Sequence, residues 1–312
     1  MPISRRTFLR HAAAGTGMAC SVAAAGVAAV PARPVSPVCV FTKPFCHLPF
    51  DELARRIAGL GFDGLEAPIR KGGHVEPEAV PDKLPELVDV LGQHNLVINI
   101  MASDINDADD PVTQQVLQTA ADLGIRFYRM KYFKYDESLP IRPQLTDFRK
   151  RLINLAAFNK ELGVTALYQN HAGRNYFGAG LWDLHIALEG VSAESVGVAY
   201  DIRHATAEAG MSWPVNLRLL LPHVRAVYVK DFEWMPARHA GAGKSRAKAM
   251  QNVPLGTGRV SESFFEILKQ ADFQGPLSLH EEYLDHRDPE LTDQHCEAIE
   301  RDLAQLRRWW KA

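Results

Sequence analysis

The amino-acid sequence predicts an α/β protein, a single-domain parallel (β/α)8 TIM barrel, and three observations carry that reading. From residue 38 onward, short β-rich runs alternate with amphipathic runs through eight cycles. Several of the amphipathic runs stop at a glycine that leads straight into an apolar run. The residues that follow the β-rich runs are polar, whereas those that open them are Gly, Val, Thr and Ala. Eight alternations imply a parallel barrel, because each parallel strand pair needs a crossover that a helix supplies. The 312 residues suffice, since such a barrel takes about 250 and leaves a tail.

Strands are expected at 38–41, 64–67, 96–101, 126–130, 165–168, 196–200, 226–229 and 277–279. Helices are expected near 50–60, 82–94, 111–123, 144–162, 181–190, 213–221, 261–271 and 290–309. The steps Leu60-Gly61-Phe62, Leu123-Gly124-Ile125 and Leu162-Gly163-Val164 place glycines just past three helix ends. A doubly wound open sheet is the rival fold, but no G-x-G-x-x-G follows the first strand. Gly256-Thr257-Gly258 lacks the Lys-Ser/Thr of a P-loop and reads as a tight turn. The barrel is assigned to residues 38–312 with no second domain.

Composition narrows the function. Apolar residues at 46% and charged residues at 23% exclude collagen-like, disordered and multi-span membrane chains. Lys+Arg 35 against Asp+Glu 37 gives a formal charge of −2, which offers a polyanion no broad basic surface, so no nucleic-acid partner is expected. Four cysteines, Cys20, Cys39, Cys46 and Cys296, show neither a C-x-x-C nor a disulfide framework. Cys39 and Cys46 could pair only if the end of the first strand folds back.

Residues 1–32 have a composition of their own. Ser4-Arg5-Arg6-Thr7-Phe8-Leu9, followed by a small-residue apolar stretch, resembles a twin-arginine (Tat) export signal. The expectation is a periplasmic or secreted protein that meets the Tat export machinery, with processing near Ala28 to Ala32 and no membrane span afterwards. An uncleaved N-terminal helix is the plain alternative.

In a barrel the chemistry sits where strands end. The second strand ends in Glu66, with Arg70 and His74 beyond it; the fourth carries Arg129 and Lys131, two apart and so on one face. The fifth ends in Gln169-Asn170-His171 and the sixth in Asp201, with His204 three further on. The seventh ends in Lys230-Asp231, and the eighth in His280-Glu281-Glu282. Arg70, Arg129 and Lys131 suit an anionic or hydroxylated substrate, or pair with neighbouring carboxylates. His74, Asn170, His171 and His204 are further substrate-binding candidates. Trp182, Trp213 and Trp234 follow strands 5, 6 and 7, where they would line a sugar pocket or pack the core. The basic run Lys244-Ser245-Arg246-Ala247-Lys248 sits in a long loop and reads as a solvated lid.

The runs GFDGLEAP, YQNHAG, VGVAYDIRHATAEAG, VYVKDFEW, VPLGTGRV and GPLSLHEEYL resemble the xylose isomerase-like TIM-barrel superfamily, in particular exported proteins of the sugar phosphate isomerase/epimerase type. The resemblance spans nearly all of residues 38–285. It implies one divalent metal, Mn²⁺, Mg²⁺ or Zn²⁺, held by Glu, Asp, His and Glu from strands 5 to 8. Those positions carry Gln169, Asp201, Tyr228 and His280 here, so only the Asp is retained. Gln169, Asp201 and His280, with Glu282 on the face of His280, could still form a site suited to Zn²⁺ or Mn²⁺. A metal-free polar pocket is the other reading.

The resemblance implies an isomerase or epimerase acting on a sugar or sugar derivative by proton abstraction next to a carbonyl. Glu66 and Glu282 are the candidate bases, with Lys230, His204 and any metal on Asp201 stabilising the enediolate. A lyase or hydratase acting on an oxidised (3-keto) sugar and a non-catalytic exported carbohydrate-binding barrel stay open beside it.

Overall fold

Runs rich in Val, Ile, Leu and Tyr become strands buried on both faces, as a barrel wrapped by helices requires. The computed structural model of the chain describes residues 36–235 and 249–311. The signal-like segment 1–32 with Cys20, and the basic run Lys244 to Lys248, lie outside the described residues. The described strands are β1 (Val38–Phe41), β2 (Gly64–Pro68), β3 (Val97–Ala102), β4 (Phe127–Arg129), β5 (Thr165–Gln169), β6 (Val196–Asp201), β7 (Val224–Val229), β8 (Asp231–Met235), β9 (Ala249–Val253) and β10 (Leu277–Leu279). The helices are α1 (Phe50–Leu60), α2 (Val80–Gln93), α3 (Pro111–Asp122), α4 (Ile141–Leu162), α5 (Trp182–Leu188), α6 (Ile202–Ala209), α7 (Trp213–Leu220), α8 (Ser263–Gln270) and α9 (Thr292–Lys311).

All the strands except β8 and β9 pair in parallel and close into a barrel in the order β1-β10-β7-β6-β5-β4-β3-β2, so the predicted fold is the observed one. Two apolar layers result. Cys39, Ile100, Leu167, Ala199, Ala226 and Tyr228 fill the barrel interior. The alternate strand residues, such as Val40, Leu65, Tyr168 and Val198, pack with the helices. Truncating one of these fully buried residues, Leu65 for instance, would cost about 2–5 kcal/mol. The glycines past the helices behave as expected: Gly61, Gly124 and Gly163 have φ of 79°, 78° and 67°, a conformation that disfavours a side chain.

Three departures from the sequence reading bear on the site. β4 stops at Arg129, so the pleat does not carry on to Lys131. A short helix, α6, follows β6 directly, and Asp201 caps it by accepting the His204 N–H on Oδ1 at 3.0 Å. The segment read as an open loop instead begins and ends as an antiparallel pair, β8 with β9. Asp231 anchors the turn beyond it, its carboxylate accepting from the N–H groups of Gly256 (3.0 Å), Gly258 (2.9 Å) and Val260 (3.0 Å). The tight turn read at Gly256-Thr257-Gly258 is thereby confirmed, and a Cβ on Gly258 would sit 2.3 Å from the Phe232 carbonyl oxygen. Cys39, Cys46 and Cys296 are free thiols. No described helix is long and apolar enough to cross a membrane.

Candidate active site

The ends of β6, β7 and β10 bring a lysine between two carboxylates. Lys230, one residue beyond β7 and 6% exposed, places Nζ 2.8 Å from Glu282 Oε2 and 3.1 Å from Asp201 Oδ2. Asp201, fully buried at the end of β6, also accepts the Gln169 amide (Nε2) on Oδ2 at 2.7 Å. Asn170 locks its backbone: Nδ2 donates to the Asp201 carbonyl at 3.1 Å and Oδ1 accepts its N–H at 2.8 Å. Burial works against the Lys230 charge, but Asp201 and Glu282 outweigh it and raise the lysine above its usual value. Burial would likewise raise Glu282, and Lys230 and His280 overcome this and hold it well below the usual carboxylate range. The centre of the mouth is therefore an ammonium flanked by carboxylates.

A second network runs from this centre to the opposite wall. The Gln169 carbonyl (Oε1) accepts from Arg129 Nη1 at 3.4 Å and from the Tyr132 hydroxyl through a short bond. Arg129 Nη1 stands 3.3 Å from Glu66 Oε1, and Glu66 Oε2 accepts from Ser278 Oγ and His280 Nε2, each at 2.7 Å. Glu66 is fully buried; burial would raise its pKa, yet His280 and Arg129 lower it overall, so it is ionised. The choice of Gln at 169 follows from the geometry. A carboxylate there would face the Asp201 carboxylate at hydrogen-bond distance, whereas an amide donates to Asp201 with one end and accepts from Arg129 and Tyr132 with the other.

This arrangement does not fit the divalent metal that the resemblance implies. Of the four ligand positions, Gln169 turns its amide nitrogen to Asp201, Tyr228 is a phenol, and His280 is committed to Glu66. Asp201 Oδ2, the one retained ligand atom, already faces the Lys230 ammonium and the Gln169 amide. Among the described residues no cluster of three or more His, Cys, Asp or Glu side chains could hold a metal ion. The expected Gln169–Asp201–His280 site is thus corrected: the first two meet, and the third belongs to the Glu66 network.

A cavity of about 240 Å³ opens over the lysine, lined by Arg129, Tyr132, Gln169, His171, Arg203, His204, Lys230, Asn252 and Glu282. Two bases face it. Glu282 uses Oε2 on Lys230, which leaves Oε1 to the cavity. His171 directs Nδ1 to the Ala172 carbonyl at 2.8 Å; a carbonyl only accepts, so Nδ1 carries the proton and Nε2 presents a lone pair. Burial, with Lys230 nearby, pushes the His171 pKa down to about 4. His204, ring centroid 4.0 Å from that of His171, is kept neutral by burial and Lys230. Its Nδ1 accepts from Arg203 Nη1 at 2.9 Å, so its proton sits on Nε2, 3.6 Å from Asp201 Oδ2. Arg203 is 7% exposed, and no described carboxylate pairs with it. Residues 236–248, outside the description, contain no Asp or Glu.

The structure therefore gathers Arg129, Gln169, His171, His204, Lys230 and Glu282 around one cavity, with Asp201 directly beneath. Arg70 lines a neighbouring cavity at the same mouth. The other predicted residues are corrected. Glu66 does not line the cavity; it positions Arg129 and His280, so its expected role as base is withdrawn. His74 turns to the Thr42 hydroxyl at 2.8 Å and lines a separate surface cavity with Leu48 and Val90. Lys131 is exposed because β4 ends before it, and Asn170 braces Asp201. Trp213 stacks on Phe264 at 3.7 Å, and none of the three tryptophans lines the cavity. Sequence reasoning missed Arg203, Tyr132 and Asn252. Arg203 lay inside the quoted run VGVAYDIRHATAEAG, and only the unforeseen α6 and β9 turn Arg203 and Asn252 into the mouth.

The family model described as xylose isomerase-like TIM barrel matches residues 54–309. No curated protein matches the sequence. Among solved structures, a xylose isomerase domain protein from Planctomyces limnophilus is 16% identical with a TM-score of 0.66, covering 89% of this chain and 98% of that one. The 3-keto-D-glucoside 4-epimerase from E. coli is 15% identical with a TM-score of 0.64, covering 88% and 99%. A D-psicose 3-epimerase is 14% identical with a TM-score of 0.62, covering 88% and 100%. Likeness at these identities concerns the fold, which the closed barrel already displays. With more than half its length matched by the family model, this chain belongs to the xylose isomerase-like TIM-barrel family.

Proposed function

We propose that the protein is an isomerase or epimerase of a sugar or sugar derivative, working by proton abstraction next to a carbonyl. The observation that carries the reading is that a buried ammonium and two cavity-facing bases, Glu282 Oε1 and His171 Nε2, share one small polar cavity. Proton abstraction beside a carbonyl needs a base within reach of the C–H and a fixed positive charge where the enolate oxygen forms. Lys230 supplies that charge, with Arg203 beside it as a second cation. Epimerisation needs one group to remove the proton and another to return it, and Glu282 and His171 come from different strands of the barrel. The resemblance would place two glutamates at 169 and 280; here the bases stand two residues further along the chain, at 171 and 282, just past β5 and β10. The names of the 3-keto-D-glucoside and D-psicose epimerases support the substrate class.

The metal does not fit, so every step is assigned to this chain's own side chains. Tyr132 and Asn252 offer hydrogen bonds to sugar hydroxyls, and Asp201 holds Lys230 in place. A second reading, a lyase or hydratase on an oxidised sugar, is favoured by Arg203, a cation at the cavity wall without a carboxylate partner among the described residues, which would stabilise a departing hydroxyl. NMR of aldoses, ketoses and 3-keto sugars incubated with the protein in D₂O tests both. Deuterium appearing at the carbon next to the carbonyl supports proton abstraction, and loss of water marks the lyase. Sugar binding without exchange would leave a carbohydrate-binding barrel and refute the enzyme. Export by the Tat machinery to the periplasm or beyond is proposed on Arg5-Arg6. Arg5→Lys with Arg6→Lys should keep the protein in the cytoplasm, and unchanged export would remove the assignment.

A further inference from the structure

The ends of β10, β1 and β2, three neighbouring strands in the barrel, enclose a second and larger cavity of about 530 Å³. Its wall includes Lys43 just past β1, Arg70 just past β2, and His286 and Arg287 past β10, with no Asp or Glu among the lining residues. Arg287 is satisfied by Asp285, through bonds of 3.0 and 3.1 Å. Lys43 and Arg70 are not: both side chains are half-buried, and no carboxylate among the described residues is in ion-pair contact with either. The segments outside the description, 1–35 and 236–248, contain no Asp or Glu that could supply one.

Half-buried cations normally find a partner, because desolvating a charge without compensation is costly. Here burial comes with crowding by like charge. Burial lowers the Lys43 pKa, and Arg70, Arg129 and Lys230 lower it further against the pull of Glu282. Burial lowers that of Arg70, and Arg129 adds to the effect against Asp104 and Glu66. The chamber also adjoins the reaction cavity. The guanidinium carbons of Arg70 and Arg129 lie over the same Phe41 ring, 5.8 and 4.8 Å from its centroid, and Arg129 lines the inner cavity while Arg70 lines the outer one.

We infer that this chamber is an oxyanion subsite, in which Lys43 and Arg70 hold a carboxylate or phosphate group of the substrate while its sugar carbonyl reaches Lys230. The substrate class is thereby narrowed to sugar acids or sugar phosphates. The inference rests on the proposed reaction for which end of the substrate reacts, but not for the anion site itself.

The experiment is isothermal titration calorimetry on the full chain with two probes, inorganic phosphate and D-gluconate, beside thermal unfolding without added anion. The wild type should bind at least one probe, and Arg70→Gln or Lys43→Gln should weaken that binding about tenfold or more, as expected for one lost charge-assisted hydrogen bond. Phosphate binding alone identifies a phosphate ester, gluconate alone a sugar acid, and either supports the site. Both substitutions remove a repelled charge, so each variant should unfold at a Tm equal to or above that of the wild type. Binding of neither probe, equal binding by wild type and variants, or a marked fall in Tm on substitution would overturn the inference. The readout needs no turnover. Anion binding without C–H exchange would keep the subsite and sink the reaction, while exchange on neutral sugars without anion binding would do the reverse.

Discussion

Replacing Lys230 by Met keeps most of the side chain's volume and deletes the charge at the centre of the site. The loss falls mainly on Asp201, which is fully buried, and less on Glu282, whose side chain is 24% exposed and can recover water. Breaking a buried pair by removing one partner costs about 3–5 kcal/mol. Asp201 keeps two hydrogen bonds, from Gln169 Nε2 at 2.7 Å and the His204 N–H at 3.0 Å, which places the expectation at the low end, about 3 kcal/mol. For a domain of this size that is a fall in Tm of roughly 6–12 °C. The penalty should depend on pH. Lys230 holds the folded-state Glu282 pKa below its unfolded value, so this contribution is complete above the unfolded value and disappears as pH falls through the folded one. The gap between wild type and variant, measured by urea unfolding, should therefore be full at pH 7 and shrink below about pH 4.3. A double-mutant cycle with Asp201→Asn isolates the pair. A loss under about 1 kcal/mol at pH 7, as for solvated surface pairs, or no coupling to Asp201, would refute the buried ammonium as the organiser of the site.

Glu282→Gln preserves shape and the contact to Lys230 but removes the proton acceptor; kcat on a substrate found by exchange should fall about 10²–10⁴-fold with KM little changed. Steady-state kinetics with unaltered kcat would move the base elsewhere. His171 has a folded-state pKa of about 4 against 6.5 for an unperturbed imidazole, so the unfolded chain takes up its proton first. Its contribution to stability is whole above pH 6.5 and is lost as pH falls to about 4, a slope that His171→Asn should remove from the unfolding profile. The acid limb of kcat/KM should lie near pH 4 if His171 is an essential base, and a limb unmoved by His171→Gln would exclude it. Because the donor set does not fit a divalent cation, dialysis against EDTA should leave both Tm and deuterium exchange unchanged. A fall in either, restored by Mn²⁺, Zn²⁺ or Mg²⁺, would contradict that reading.

The sequence by itself determined the barrel and the end of it that carries chemistry. Periodicity and helix-stop glycines such as Gly61 and Gly163 are local properties, written wherever the backbone needs a left-handed residue, and so they survive without knowledge of neighbours. The strand-end positions 169, 171, 201, 204, 230 and 282 were equally legible, because a strand's end fixes where its next residues emerge. What the sequence could not assign was the partner of each group. Glu66 and Glu282 look alike as carboxylates after a strand, yet one is buried against Arg129 and His280 while the other meets Lys230 beside open space. Lys131 left the site because β4 ends two residues earlier, and Arg203 entered it because α6 starts at Ile202, directly after Asp201. Pairing between side chains such as Gln169 with Asp201, 32 residues apart, and Glu66 with His280, 214 apart, depends on barrel closure and register. Closure of the barrel made Lys230 the centre of the site, since only there do Asp201 and Glu282 converge on a single ammonium.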